Sequence, residues 1–115
     1  MTTKKIIVAN WKMNNSFAEA RMWLTAISQK IDEHKKILPE IIICPPVILL
    51  DYINELLTEP IFDQKEKIKL GAQDCHFAEC GAYTGDVSAK MIKDCGRNIC
   101  GGLTRKLRKN QLALW

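Results

Sequence analysis

Residues Lys4–Asn15 read KKIIVANWKMNN, and the fold turns on how this stretch is taken. The run Ile6-Ile7-Val8-Ala9 is continuous rather than alternating, which predicts a strand buried on both faces, as in a parallel sheet. Asn10 and Lys12 follow at its C-terminal end. Alternate residues of a strand point to the same side, so Asn10 and Lys12 are expected to project together. An amide and a cation beyond the end of a buried strand are the raw material of an α/β site. A solvated strand-end lysine and a turn-forming asparagine fit the spacing equally.

Outward from this stretch, Asn14 and Asn15 are turn formers. Ser16-Phe17-Ala18-Glu19 is a capping box. The helix it opens places Phe17, Ala20, Leu24, Ile27 and Ile31 on one stripe and is expected to run to about Lys35. There His34, Lys35 and Lys36 suit the negative end of the helix dipole. After Pro39, Ile41 to Cys44 predicts a second buried strand, stopped by Pro45-Pro46. Val47 to Leu57 predicts a second helix with Leu49, Leu50, Ile53, Leu56 and Leu57 inward. Ile61 to Lys67 reads as a polar connector and Ile68 to Ala72 as a third strand. Asp74 to Asp86 is a long loop. Ser88 is an N-cap candidate for a helix over Ala89 to Cys95, and Gly96 a C′ glycine candidate. Strand, helix, strand, helix, strand, loop, helix argues parallel βαβ units, with which either a barrel or a doubly wound sheet could begin. No Gly-x-Gly-x-x-Gly fingerprint and no Walker loop is present.

The chain has 115 residues, 47% of them hydrophobic and 26% charged, which suits one globular domain. No apolar run reaches the length of a membrane span, and MTTKKIIVA has no secretory h-region, so a cytoplasmic protein without membrane association is expected. Five cysteines without a Cys-x-x-Cys pair read as reduced thiols. Cys75, His76 and Cys80 are close in sequence, but no fourth ligand at a matching spacing follows. The charge is uneven. Residues 1–96 hold 12 of the 17 Lys and Arg and all 13 Asp and Glu, a balance of −1. Residues 97–115 carry Arg97, Arg105, Lys106, Arg108 and Lys109 and no acid. With Trp115 its one aromatic and no binding motif, this basic tail argues against a nucleic-acid partner and reads as a solvated end.

VANWKMN (Val8–Asn14), CPP (Cys44–Pro46), LGAQD (Leu70–Asp74) and GAYTGDVSAKMIKDCG (Gly81–Gly96) occur in that order. Together they closely resemble the N-terminal part of the triosephosphate isomerase family over about residues 4–96. The resemblance implies a partial (β/α)₈ barrel, roughly its first three βα units, in residues 1–96. It implies interconversion of dihydroxyacetone phosphate and glyceraldehyde 3-phosphate in glycolysis and gluconeogenesis, with no metal or organic cofactor. Asn10 matches the family's substrate-contacting asparagine. Lys12 matches its substrate-binding lysine, whose ammonium would offset phosphate and enediolate charge. The loop around Gly81 to Asp86 resembles the one that inserts into a second subunit of a homodimer, and Thr84 matches its interface threonine.

The resemblance stops after Gly96. The family's electrophilic histidine and general-base glutamate have no counterpart here, and His34 and His76 match neither. A chain so built is expected to be inactive alone, because isomerisation needs both a base and an electrophile. It is also expected to be marginally stable, with its third strand an open apolar edge. The alternatives are assembly with a second chain that completes the barrel, or a non-functional remnant. Residues 97–115 read as a divergent tail, disordered or frameshifted: one base later, Ile99 to Gly102 can encode Tyr-Val-Val.

Overall fold

In the computed structural model, residues 5–33, 39–62 and 68–96 are described. They form β1 (Ile6–Asn10), α1 (Phe17–Glu33), β2 (Glu40–Cys44), α2 (Val47–Leu56), a 3₁₀ turn (Pro60–Phe62), β3 (Ile68–Leu70) and α3 (Ala89–Asp94). The three strands make one parallel sheet in the order β1-β2-β3. This is a partial α/β arrangement of parallel strands alternating with helices, as the first units of a (β/α)₈ barrel would give. The anticipated helix end at His34 to Lys36, the connector beyond Phe62 and the basic tail lie outside the described residues.

Register sorts the strand residues into two faces. Ile7, Ile41 and Ile68 align, as do Ala9, Ile43 and Leu70. Ile41, Ile43, Ile68 and Leu70 join a buried cluster with Leu24 and Ile31 of α1, Leu49, Leu50, Ile53 and Leu56 of α2, and Ile92 of α3. This is the helix-covered face. Each side chain so buried contributes about 1.5–3 kcal/mol of transfer free energy, which is why continuous apolar runs specify central strands. The opposite face carries Val8, Ile42 and Lys69 in register, with Asn10 beside Cys44. There Lys69 pairs with Glu40 at 2.7 Å.

The helices follow their sequence signals. Ser16 and Glu19 make both capping-box hydrogen bonds, each 3.2 Å. Ala20, Leu24, Ser28 and Ile31 are the buried stripe of α1. Phe17 is exposed, although its ring meets Tyr52 edge-on at 4.9 Å. All five inward positions expected of the second helical run are buried. The Ser88 hydroxyl accepts the Met91 N–H at 3.1 Å and caps α3.

Five expectations need correction. β1 is not buried on both faces: Ile6 is 44% and Ile7 52% exposed, because among the described strands β1 pairs with β2 alone. β3 is also an edge strand here, yet Ile68 and Leu70 are fully buried. It is shorter than expected, ending at Leu70, although Gly71 extends the ladder by donating to the Ile43 carbonyl at 2.9 Å. The connector is not wholly polar, since Phe62 is a fully buried core residue under the Arg21 guanidinium. Gly96 follows the Cys95 C-cap but does not have a positive φ. Glycine is needed there for space, because a Cβ would collide with the Asn54 amide that donates to the Cys95 carbonyl at 3.1 Å.

Candidate active site at the C-terminal ends of the strands

Asn10 and Lys12 lie at and just past the carboxyl end of β1, the side of the sheet where open α/β sheets and barrels place ligands. β1 ends at Asn10, so strand alternation does not govern Lys12. The chain turns instead. Asn10 Oδ1 accepts the Lys12 N–H at 2.8 Å, an Asx-type contact that short amides favour. Lys12 takes φ 57°, the left-handed region that residues with a Cβ rarely enter. Asn15, at φ 79°, makes a second such bend before α1. The pair is therefore joined by a side-chain hydrogen bond across a turn, rather than by projection from one strand face.

Three further contacts fix this corner. Trp11 N–H donates to the Cys44 carbonyl at 3.0 Å, continuing the β1–β2 ladder past Asn10. The Asn14 amide donates to the Trp11 carbonyl at 2.8 Å. Gln73 reaches across from the segment after β3, its Nε2 donating to the Lys12 carbonyl at 2.7 Å and to the Cys44 carbonyl at 2.9 Å. Gln73 is the residue that sequence reading missed: it stands within the LGAQD block with no role attached. An amide just past a strand end is the signal that could have drawn attention to it. Below the corner, the Trp11 ring is buried edge-on to Trp23 at 5.3 Å, and its indole N–H has no hydrogen-bond partner among the described residues.

Thr84 is placed apart. It occupies an exposed turn in which Asp86 N–H donates to the Tyr83 carbonyl at 3.0 Å. Gly85 sits third in that turn with φ 88°, as a type II turn requires. The loop is closed at its base by His76 N–H donating to the Val87 carbonyl at 2.8 Å. Within it the His76 ring lies 4.4 Å from Phe77 and 4.0 Å from Tyr83. No hydrogen bond joins Thr84 to Asn10 or Lys12 among the described residues. A cleft of about 170 Å³ separates the loop from Gln73, and Asp74 and Asp86 make its lining acidic, unlike a phosphate pocket.

Among the described residues no group of three or more His, Cys, Asp and Glu could hold a metal ion. Cys44, Cys75, Cys80 and Cys95 are not joined in disulfides, and Cys100 lies outside the described residues. Burial, and then Asp51 and Asp94, push the Cys95 thiol above its ordinary range, the opposite of what a thiolate nucleophile needs. No described helix is long and apolar enough to cross a membrane.

A parallel sheet with helices alternating along the chain, and a lysine held beyond the first strand, defines an α/β protein with a site at the carboxyl ends of its strands. Comparison with known proteins makes this specific. A sequence model described as triosephosphate isomerase matches residues 5–100, and the chain belongs to that family. Triosephosphate isomerase of Alkaliphilus oremlandii is 41% identical over 93 residues, which are 81% of this chain and 34% of that protein. That of Bartonella bacilliformis is 38% identical over the same shares. The crystal structure of the Bartonella henselae enzyme superposes with a TM-score of 0.65 at 34% identity, covering 96% of this chain and 42% of that one. The chain thus spans about a third of the length of the curated relatives it matches.

Proposed function

We propose that this chain supplies the substrate-binding half of a triosephosphate isomerase site and does not isomerise by itself. The observation that carries the reading is Lys12. It stands beyond the carboxyl end of β1, both its peptide groups are held by side chains, and it falls within the stretch matched to the family. An exposed lysine whose backbone is held there suits the dianionic phosphate of a triose phosphate and the negative charge that grows on an enediolate. Asn10 contributes the contact beside it. Interconversion of dihydroxyacetone phosphate and glyceraldehyde 3-phosphate also needs a group to remove the carbon-bound proton and a donor to stabilise the oxyanion. The residues of this chain offer no counterpart of the family's glutamate and histidine in those roles. Attraction of substrate without a base leaves the proton in place. The reading includes a cytoplasmic glycolytic setting, no organic cofactor, and a homodimer in which Thr84 approaches the partner's site.

A second reading, completion of the barrel by further strands from another chain, has its own support. β1 presents exposed Ile6 and Ile7 at the sheet edge, and the buried Trp11 N–H lacks a partner among the described residues. A coupled isomerase assay on the purified chain tests both. The expected rate is background, unchanged by Lys12→Ala. Turnover that disappears in Lys12→Ala would overturn the claim of inactivity. Co-expression with a chain carrying the remaining barrel strands is expected to restore a Lys12-dependent rate if the second reading holds. No co-purification and no activity would remove that reading.

A further inference from the structure

We propose that His76 is a pH-sensitive latch on the loop between β3 and α3, closed while its ring is neutral and released when the ring takes a second proton. The loop is pinned at its base, where His76 bridges to Ser88 and its N–H donates to the Val87 carbonyl at 2.8 Å. From that point the ring reaches back into the loop. Its Nδ1 accepts the Ala78 N–H at 3.0 Å, so the single proton of the neutral ring is on Nε2. The ring centre also lies 4.0 Å from that of Tyr83 and 4.4 Å from that of Phe77. Tyr83 in turn packs on Gly81, at φ 139°, so closely that a Cβ there would fall 2.8 Å from the ring. His76 therefore ties together the base of the loop, the turn at Ala78 and the aromatic ring that directly precedes Thr84.

A backbone N–H can only donate. Protonation of Nδ1 sets two donors face to face, removes the bond to Ala78 and leaves that N–H to water. The closed loop thus selects the ring with one proton fewer, and its share falls as pH falls. Histidine is the side chain whose charge ordinarily changes between about pH 5 and 8. Other titratable groups face the ring. Glu79, Cys80, Tyr83 and Asp86 line one cleft with it, of about 190 Å³, and Asp74, Cys75 and Asp86 line another. From the helices, Met91 of α3 and Val47 of α2 line these clefts and bear no charge. The carboxylates favour a charged ring. Asp74 and Glu79, two and three residues away, stay near it whether the loop is closed or open, whereas the contact with Ala78 exists only in the closed loop. Attraction of a charged ring to Tyr83 at an exposed site is weaker than the opposition of two donors.

The test is nuclear magnetic resonance on the full, isotopically labelled chain at about pH 8 and about pH 5, either side of the histidine range. At the higher pH the His76 ring nitrogens should report an unprotonated Nδ1, and the Tyr83 ring protons should contact Gly81. On acidification that contact is expected to vanish. Protection of the Ala78 amide, corrected for intrinsic exchange, should fall about fivefold, as loss of one hydrogen bond entails. Both changes should follow the titration of the His76 ring. His76→Asn keeps a short acceptor for an N–H two residues on and cannot titrate, so Ala78 should stay protected at both pH values. His76→Phe keeps an aromatic ring and loses the acceptor, so Ala78 should be unprotected at both. A Tyr83 contact and an Ala78 protection that ignore the titration in the parent overturn the proposal. So does a pH response that survives in His76→Asn, which would assign it to His34 or to a carboxylate. Equal loss of protection at Ile43 of β2 would mean unfolding of the sheet rather than release of a loop, and would also sink the idea.

Discussion

The two strands beside β2 differ in length, and the longer one is the less well covered. β3 has three residues, and its two apolar ones, Ile68 and Leu70, are wholly buried. β1 has five, and its leading Ile6 and Ile7 are half exposed. On the β3 side, Phe62 from the 3₁₀ turn and Ile92 of α3 belong to the same buried cluster as the strand residues. β1 contributes only Ala9, partly buried, from its far end. Elements close in sequence cover β3, whereas the beginning of β1 carries apolar side chains with no such cover among the described residues. The hydrogen-bonded corner of Asn10, Lys12 and Gln73 is nevertheless built on the end of the poorly covered strand. A site can be held by hydrogen bonds at the carboxyl end while the amino end of the same strand stays open.

The sharpest way to break this comparison is to truncate one isoleucine on each side. Ile68→Ala is expected to cost about 2–5 kcal/mol, enough to unfold a domain of marginal stability. Ile7→Ala should cost less than about 1 kcal/mol, since half of its surface already meets solvent. Urea unfolding of the two variants beside the parent reads both. Equal losses would mean that β1 is covered in solution. If co-expression with the remaining barrel strands yields a complex, the Ile7→Ala cost should rise toward that of Ile68→Ala in the complex alone.

The next effect is expected at the end of α3. Gly96→Ala drives a Cβ into the Asn54 amide, and one of the two must shift. The cost should be about 1–3 kcal/mol, the usual range for overpacking. Pairing it with Asn54→Ala makes the experiment specific. Removing the amide opens the space, so the double variant should lose less than the sum of the single ones. Additive losses would show that the glycine is needed for its backbone freedom after all, which is what its C′ position alone suggests.

Gly96 also illustrates where sequence reading reached and where it stopped. Periodicity found the helices, and α2 matched at every inward position, because a helix face is set by neighbours three and four residues away. Capping at Ser16 and Ser88 was legible for the same reason. Ordered motifs carried the family, and with it Asn10 and Lys12. What escaped depends on contacts between distant segments. The Gln73 bonds span 61 residues to Lys12 and 29 to Cys44. The Gly96 clash is with a residue of another helix, and Phe62 looked like part of a polar connector. The exposure of β1 was misjudged because an apolar run states what a strand needs covered, not whether the cover is present. The left-handed bend at Lys12 has no local signal at all, since lysine is among the residues least expected there.

The smallest effects concern the caps, and they tell whether the contrast between the two sides extends beyond the sheet. On the β1 side, Ser16 and Glu19 exchange two hydrogen bonds at the start of α1. On the β3 side, Ser88 makes one at the start of α3. Ser16→Ala and Ser88→Ala should each cost about 1 kcal/mol, because a cap satisfies orphan N–H groups of its own first turn whatever lies across the sheet. Amide hydrogen exchange should then quicken in the first turn of each helix by about fivefold, the factor that roughly 1 kcal/mol entails. A much larger change at α1 would mean that the open start of β1 weakens the helix that follows it. Similar changes at both ends would confine the asymmetry to the strand edge, where a completing partner would have to bind.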